Sequence, residues 1–168
     1  MSYNPNSKGN ILHLCEFLGS MLLVIASISP VILFYQILKT DIALTVLADA
    51  IAVGFILFAS IEVFSPVCTG FFNPAVTIAL AIDGKLTWKQ AGIYSVNQVL
   101  GGLTGLLISQ LMFFDKIPKL FAISNVARSG EILLLKFSVP LFLCLPFFPW
   151  WNKSQTRRRL LLVFLLEV

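Results

Sequence analysis

An all-α membrane fold is predicted, with three to four transmembrane helices and one re-entrant half-helix. Three observations carry that expectation. The 168-residue chain is 58% hydrophobic and 12% charged, with a mean hydropathy of +0.91, whereas soluble domains are about 45–50% apolar and about 25% charged. Its apolar runs repeatedly reach about 20 residues, the length that crosses a bilayer core. One well-marked helix, opening at Asn73-Pro74, is by contrast far too short to cross.

Residues 1–10 are polar, with Asn4-Pro5-Asn6 and Gly9 as breakers, and are expected to form a loose terminus. The first span is placed from about Ile11 to Leu38. Pro30 lies inside it and predicts a kink or an early end. Lys39-Thr40-Asp41 is a short turn, so the second span, about Ile42 to Phe64, should return antiparallel beside the first. Ala50 and Gly54 give that span a small-x-x-x-small face suited to close helix packing.

Ser65-Pro66 ends the second span, and residues 65–72 form a loop. Asn73 is a strong helix N-cap, because its side-chain oxygen can accept from free N–H groups of the next turn. Pro74 then occupies the first helical position, where its missing N–H costs nothing. The helix continues to Ile82 and stops at Asp83-Gly84. Irregular backbone at membrane depth is tolerated only where protein or water covers it. The expectation is therefore a capped half-helix with its positive end and the Asn73 amide facing a water-filled passage. Trp88 and Lys89 should anchor at the interface the third span, which is placed from about Gln90 to Phe114. On that span Tyr94, Gln98, Gly101 and Gly105 share one helical face, and Gly101 and Gly105 form a Gly-x-x-x-Gly pair.

Asn73-Pro74-Ala75-Val76-Thr77, following a Gly-containing apolar helix, resembles the first NPA box of the aquaporin (major intrinsic protein) family. Glu16-Phe17-Leu18-Gly19 is similar to the family's opening helix, Val53-Gly54 to its second, and Tyr94, Gln98, Gly101 and Gly105 to its third. The likeness covers roughly residues 11–114. It implies a passive channel for water or a small neutral solute such as glycerol, with Asn73, Pro74 and Ala75 as the pore motif. By the same resemblance, carbonyls of Cys68, Thr69, Gly70 and Phe71 line the pore. Val53 sits at a constriction often occupied by an aromatic residue or His, so an aliphatic side chain there implies a wider passage. Glu16 and Gln98 would hold the re-entrant loop, and Gly54, Gly101 and Gly105 would pack helices. Thr69 and Phe71 depart from the family's frequent Gly and His, and Phe71 adds bulk near the inner pore. The resemblance also implies a homo-oligomer, typically a tetramer, in the cell membrane.

The net charge of +4 is spread over loops and the tail, and positive-inside topology explains it more simply than nucleic-acid binding. Placing the N-terminus in the cytoplasm puts Lys8, Lys85, Lys89, Lys153 and Arg157 to Arg159 inside, against Lys39, Lys116, Lys119 and Arg128 outside. Cys15, Cys68 and Cys144 have neither zinc-site nor disulfide-framework spacing and read as apolar packing residues. Asp49 and Glu62, both in the second span, read as structural hydrogen-bonding groups. His13, the lone histidine, reads as interfacial. The sequence carries no Ser/His/Asp set, carboxylate pair, phosphate loop or metal cluster, so neither an enzyme nor a bound cofactor is expected.

Residues 115–130 form a polar loop, expected on the extracytoplasmic side. Residues 131–168 read as atypical. Glu131-Ile132 echoes Glu16-Phe17, but Lys136, Pro140, Pro146 and Pro149 interrupt the fourth apolar run. Adding the interval from Glu16 to Asn73 to Glu131 puts a second Asn beyond Val168. This points to a truncated or frameshifted start of a second repeat, and hence to impaired conduction by the chain alone. The alternative is a non-conducting membrane interaction protein, or the product of a damaged channel gene.

Overall fold

The computed structural model describes residues 5–64, 68 and 70–118. Thr69 and the expectations placed on residues 119–168, Cys144 among them, lie outside the described residues. Four α-helices appear in order: α1 Pro5–Pro30, α2 Ile42–Phe64, α3 Pro74–Ile82 and α4 Trp88–Met112. A π-helix, Val31–Ile37, continues α1. Three of these stretches are long and apolar enough to cross a membrane: Gly9–Ile37, Ile42–Phe64 and Trp88–Met112. Among the described residues there is no strand.

Residues 5–10 differ from the loose terminus expected of them. Helix α1 begins at Pro5, because proline at a first helical position gives up only an N–H that would have lacked a partner anyway. At the other end, Pro30 terminates the α-helical winding without ending the span. The chain widens into π turns, and Leu38 N–H reaches back five residues to the Leu33 carbonyl at 2.9 Å. Thr40 closes the end by donating from both its N–H and its hydroxyl to the Phe34 carbonyl, each at 3.0 Å. Asp41 then caps α2, its Oδ1 accepting from Leu44 N–H at 2.7 Å.

Helix α4 starts at Trp88, two residues before the expected Gln90. The reason is a capping box: Thr87 Oγ1 accepts from Gln90 N–H at 3.3 Å, while Gln90 Oε1 accepts from Thr87 N–H at 3.1 Å. Helix α1 lies between α2 and α4, and α3 packs on α4. The α1–α4 crossing is close because two glycines permit it. A Cβ at Gly101 would strike the Phe17 carbonyl oxygen, and one at Gly105 would come within 2.5 Å of the Met21 carbonyl oxygen. A second contact, Ser29 hydroxyl to Ser109 hydroxyl at 3.4 Å, joins the same two helices further along. Gly54 does not pack in this way. It is exposed, and a Cβ there would meet no atom within 4 Å. The small-residue spacing marked a face of α2 that no described helix covers.

Candidate functional site: the capped half-helix and its polar clamp

The site begins with backbone geometry that the chain adopts only under support. Gly70 has φ +68°, where glycine is free of strain, but Phe72 has φ +49° with a full side chain. Three groups hold Phe72 there. Its N–H donates to Glu16 Oε2 at 2.8 Å, its carbonyl accepts from Ser20 Oγ at 3.1 Å, and its ring fills the space left by Gly19. A side chain at Gly19 would collide with that ring. The ring also meets Phe64 edge-on, at 5.8 Å between centroids. With Cys15 and Cys68 it forms a small buried core between α1 and the loop.

Glu16 is fully buried in α1, where an isolated carboxylate would be costly at membrane depth. It is satisfied by N–H donors from two elements. Phe71 N–H reaches Oε1 at 3.0 Å, Phe72 N–H reaches Oε2 at 2.8 Å, and Gln98 Nε2 of α4 reaches Oε2 at 2.8 Å. Gln98 also donates to Thr77 Oγ1 at 3.0 Å, and that hydroxyl lies 3.0 Å from the Asn73 carbonyl oxygen. One continuous polar clamp therefore ties α1, the loop, α3 and α4 together around the start of the half-helix.

At its tip, Asn73 adopts an extended conformation, φ −146° and ψ 122°, and its Oδ1 accepts from Ala75 N–H at 2.9 Å. Pro74 takes the first helical position. The oxygen of the Asn73 carboxamide is thus committed to the cap, and its Nδ2 donor is left unused by the helix. Among the described residues nothing accepts from that donor, and Asn73 is only half-buried. Ala75 is half-buried in the first turn of α3, while Val76 and Thr77 are buried.

The remaining residues singled out from the sequence fall as follows. Val53 is half-buried on α2. Phe71 is half-buried and packs against Tyr94, whose ring in turn meets His13, at 6.4 and 5.7 Å between centroids. Among the described residues no group of three or more His, Cys, Asp or Glu side chains has metal-binding proximity.

Sequence reasoning missed Ser20, Gly19 and Phe72 as parts of the clamp. Ser20 stands four residues after Glu16, so the pair shares a face of α1. That spacing was the available signal. Thr77 was read only as part of the motif, although the spacing from Asn73 lets its hydroxyl bond back to the Asn73 carbonyl.

A family model described as Major intrinsic protein matches residues 7–160. The chain belongs to that family. The match takes in residues 131–160, where the sequence had suggested that the likeness fades. An aquaglyceroporin of Rhizobium meliloti is 36% identical over 127 residues, covering 76% of this chain and 53% of the relative. Aquaporin TIP2-3 of Arabidopsis thaliana is 34% identical over 99 residues, which is 57% of this chain and 39% of that protein. Aquaporin NIP1-2 of Oryza sativa subsp. japonica is 32% identical over 104 residues, 62% of this chain and 33% of the relative. The chain thus spans from a third to about half the length of these curated relatives. No solved structure matches it. Family and helices together make this a multi-pass integral membrane protein with the all-α fold expected of the major intrinsic proteins.

Proposed function

We propose that residues 11–114 form one wall of a passive transmembrane channel for water or a small neutral solute such as glycerol. The observation that carries this is the Asn73 tip: a short capped helix opens on an amide whose oxygen is tied to the cap and whose Nδ2 donor meets no acceptor among the described residues. A passing solute would accept from Asn73 Nδ2 in place of a water–water bond. The half-helix N-terminus would orient the solute oxygen and disfavour cations. Pro74 and Ala75 keep the first turn in register, and carbonyls of Cys68, Thr69, Gly70 and Phe71 would supply acceptors along the approach. Its similarity to an aquaglyceroporin and an aquaporin supports this class of solute. Val53, aliphatic and half-buried, favours a wider and less polar constriction, and hence solutes larger than water.

In this reading the protein is a channel and not an enzyme, works as a homo-oligomer in the cell membrane, and keeps its N-terminus in the cytoplasm. A closed conduit also needs a second wall facing Asn73. The test therefore grafts residues 11–114 in place of the first repeat of the Rhizobium meliloti aquaglyceroporin. Stopped-flow light scattering of proteoliposomes should show water and glycerol permeability well above empty vesicles. Asn73→Asp in the graft, which keeps the cap acceptor and removes the amide donor, should reduce that permeability at least about tenfold, the effect of ~1.4 kcal/mol at the barrier. A folded graft that conducts no better than empty vesicles would overturn the reading.

A further inference from the structure

Outside the clamp, α4 carries a second feature on its outer surface. Trp88, Lys89, Gly92, Ile93, Val96 and Asn97 line an open trough of about 340 Å³. Their spacing places them on one helical face. A Cβ at Gly92 would stand in open space, with no atom within 4 Å, so a larger side chain there has room to fill the trough. The walls are apolar and exposed, with Ile93 38% and Val96 59% accessible. Asn97 does little to change that, because its Nδ2 is turned onto the Ile93 carbonyl at 2.8 Å.

One end of the trough is different. Lys89 stands in the first turn of α4, exposed, beside Trp88, which is 65% accessible. Among the described residues Lys89 joins no ion pair, whereas nearby Lys85 is paired with Asp83 at 2.6 Å. The capping box at Thr87 marks where the membrane-spanning helix begins, which is the level at which lysine and tryptophan meet lipid headgroups. An ammonium that joins no ion pair among the described residues, at the end of an exposed apolar trough on a membrane-spanning helix, is complementary to one class of molecule. That molecule has an anionic head joined to a hydrocarbon chain. A zwitterionic lipid fits the trough equally well but leaves the ammonium without a net counter-charge.

We propose that this trough binds an anionic glycerophospholipid, its phosphate on the Lys89 ammonium and an acyl chain laid along Gly92, Ile93 and Val96. The helix N-terminus adds to the attraction, since its partial positive charge lies at the same end. This inference stands apart from the channel reading, because it needs only that α4 face lipid.

The chain has three tryptophans, so replacing Trp150 and Trp151 by Phe leaves Trp88 as the reporter inside the trough. The full chain carrying those changes is reconstituted in phosphatidylcholine vesicles containing either brominated phosphatidylglycerol or brominated phosphatidylcholine, and Trp88 quenching is compared. Preference for the anionic lipid should be about fivefold, the effect expected of one surface basic residue. It should vanish in Lys89→Gln, return in Lys89→Arg and persist in Lys85→Gln. Gly92→Leu, which fills the trough, should weaken quenching by both lipids. Equal quenching in the parent, or a preference that survives Lys89→Gln, would overturn the proposal. So would a preference lost equally in Lys85→Gln, which would assign it to diffuse surface charge.

Discussion

Replacing Glu16 by Ala should prevent the protein from being recovered as a stable, monodisperse species. The substitution strands Phe71 N–H and Phe72 N–H and leaves Gln98 Nε2 only its bond to Thr77. Each donor left without an acceptor costs ~1–3 kcal/mol, so the two backbone donors together cost about 2–6 kcal/mol, a large share of a typical folding free energy of about 5–15 kcal/mol. Glu16→Gln separates the causes. It fits the same space and keeps one acceptor oxygen, but its NH₂ group must face a donor. A loss of about 1–3 kcal/mol is expected, read as a fall of several degrees in the thermal midpoint of detergent-solubilised protein by fluorescence-detected size exclusion, at ~2–4 °C per kcal/mol. The order should be wild type, then Gln, then Ala. Wild-type midpoints for both variants would mean that the carboxylate does not hold the loop.

The second large effect is expected at Gly101. Its Cβ would strike the Phe17 carbonyl oxygen, a backbone atom that cannot rotate aside as a side-chain tip can. Gly101→Val must therefore push α1 and α4 apart. Gln98 stands one turn before Gly101, and Glu16 adjoins Phe17, so the same shift pulls on the 2.8 Å bond between Gln98 and Glu16. Overpacking costs ~1–3 kcal/mol, and loss of the clamp adds about 1–3 kcal/mol for each buried donor it strands. Gly54→Ala provides the contrast: its neighbourhood is open, so its midpoint should stay at or slightly above wild type. Intrinsic propensity alone would favour Ala over Gly by ~1 kcal/mol at either position. A loss at Gly101 together with a neutral result at Gly54 would isolate the close helix crossing as the cause.

Much of this architecture could be read from the chain, and the parts that could not share a physical reason. Helix α3 was legible because its signals are local: Asn73 caps, Pro74 opens and Asp83-Gly84 closes within a few residues. The three spans were legible from their apolar length. The start of α4 was misplaced because the reciprocal bonds of Thr87 and Gln90 outweigh the interfacial anchors used to set it. The π winding after Pro30 was not legible, since proline dictates only that the α pattern must break. Whether the chain then stops or rewinds depends on contacts such as Thr40 with Phe34. Gly54 and Gly101 show the same limit from the other side. Both lie in small-residue patterns, yet only one meets a neighbouring backbone. For the clamp, a buried carboxylate at membrane depth announces that partners must exist. That the partners are Phe71, Phe72 and Gln98 follows from tertiary placement, and Ser20, a polar residue in mid-helix, gave little sign of its role.

The most direct test asks where residue 73 sits. In a background with Cys15, Cys68 and Cys144 replaced by Ala, Asn73→Cys is reconstituted and treated with a small water-soluble methanethiosulfonate and, separately, with a bulky polyethylene-glycol maleimide. A tip held at depth beside a narrow aqueous passage should react with the small reagent and resist the bulky one until the protein is denatured. Rapid modification by the bulky reagent in the folded, reconstituted protein would place residue 73 in open solvent and contradict the half-helix described here.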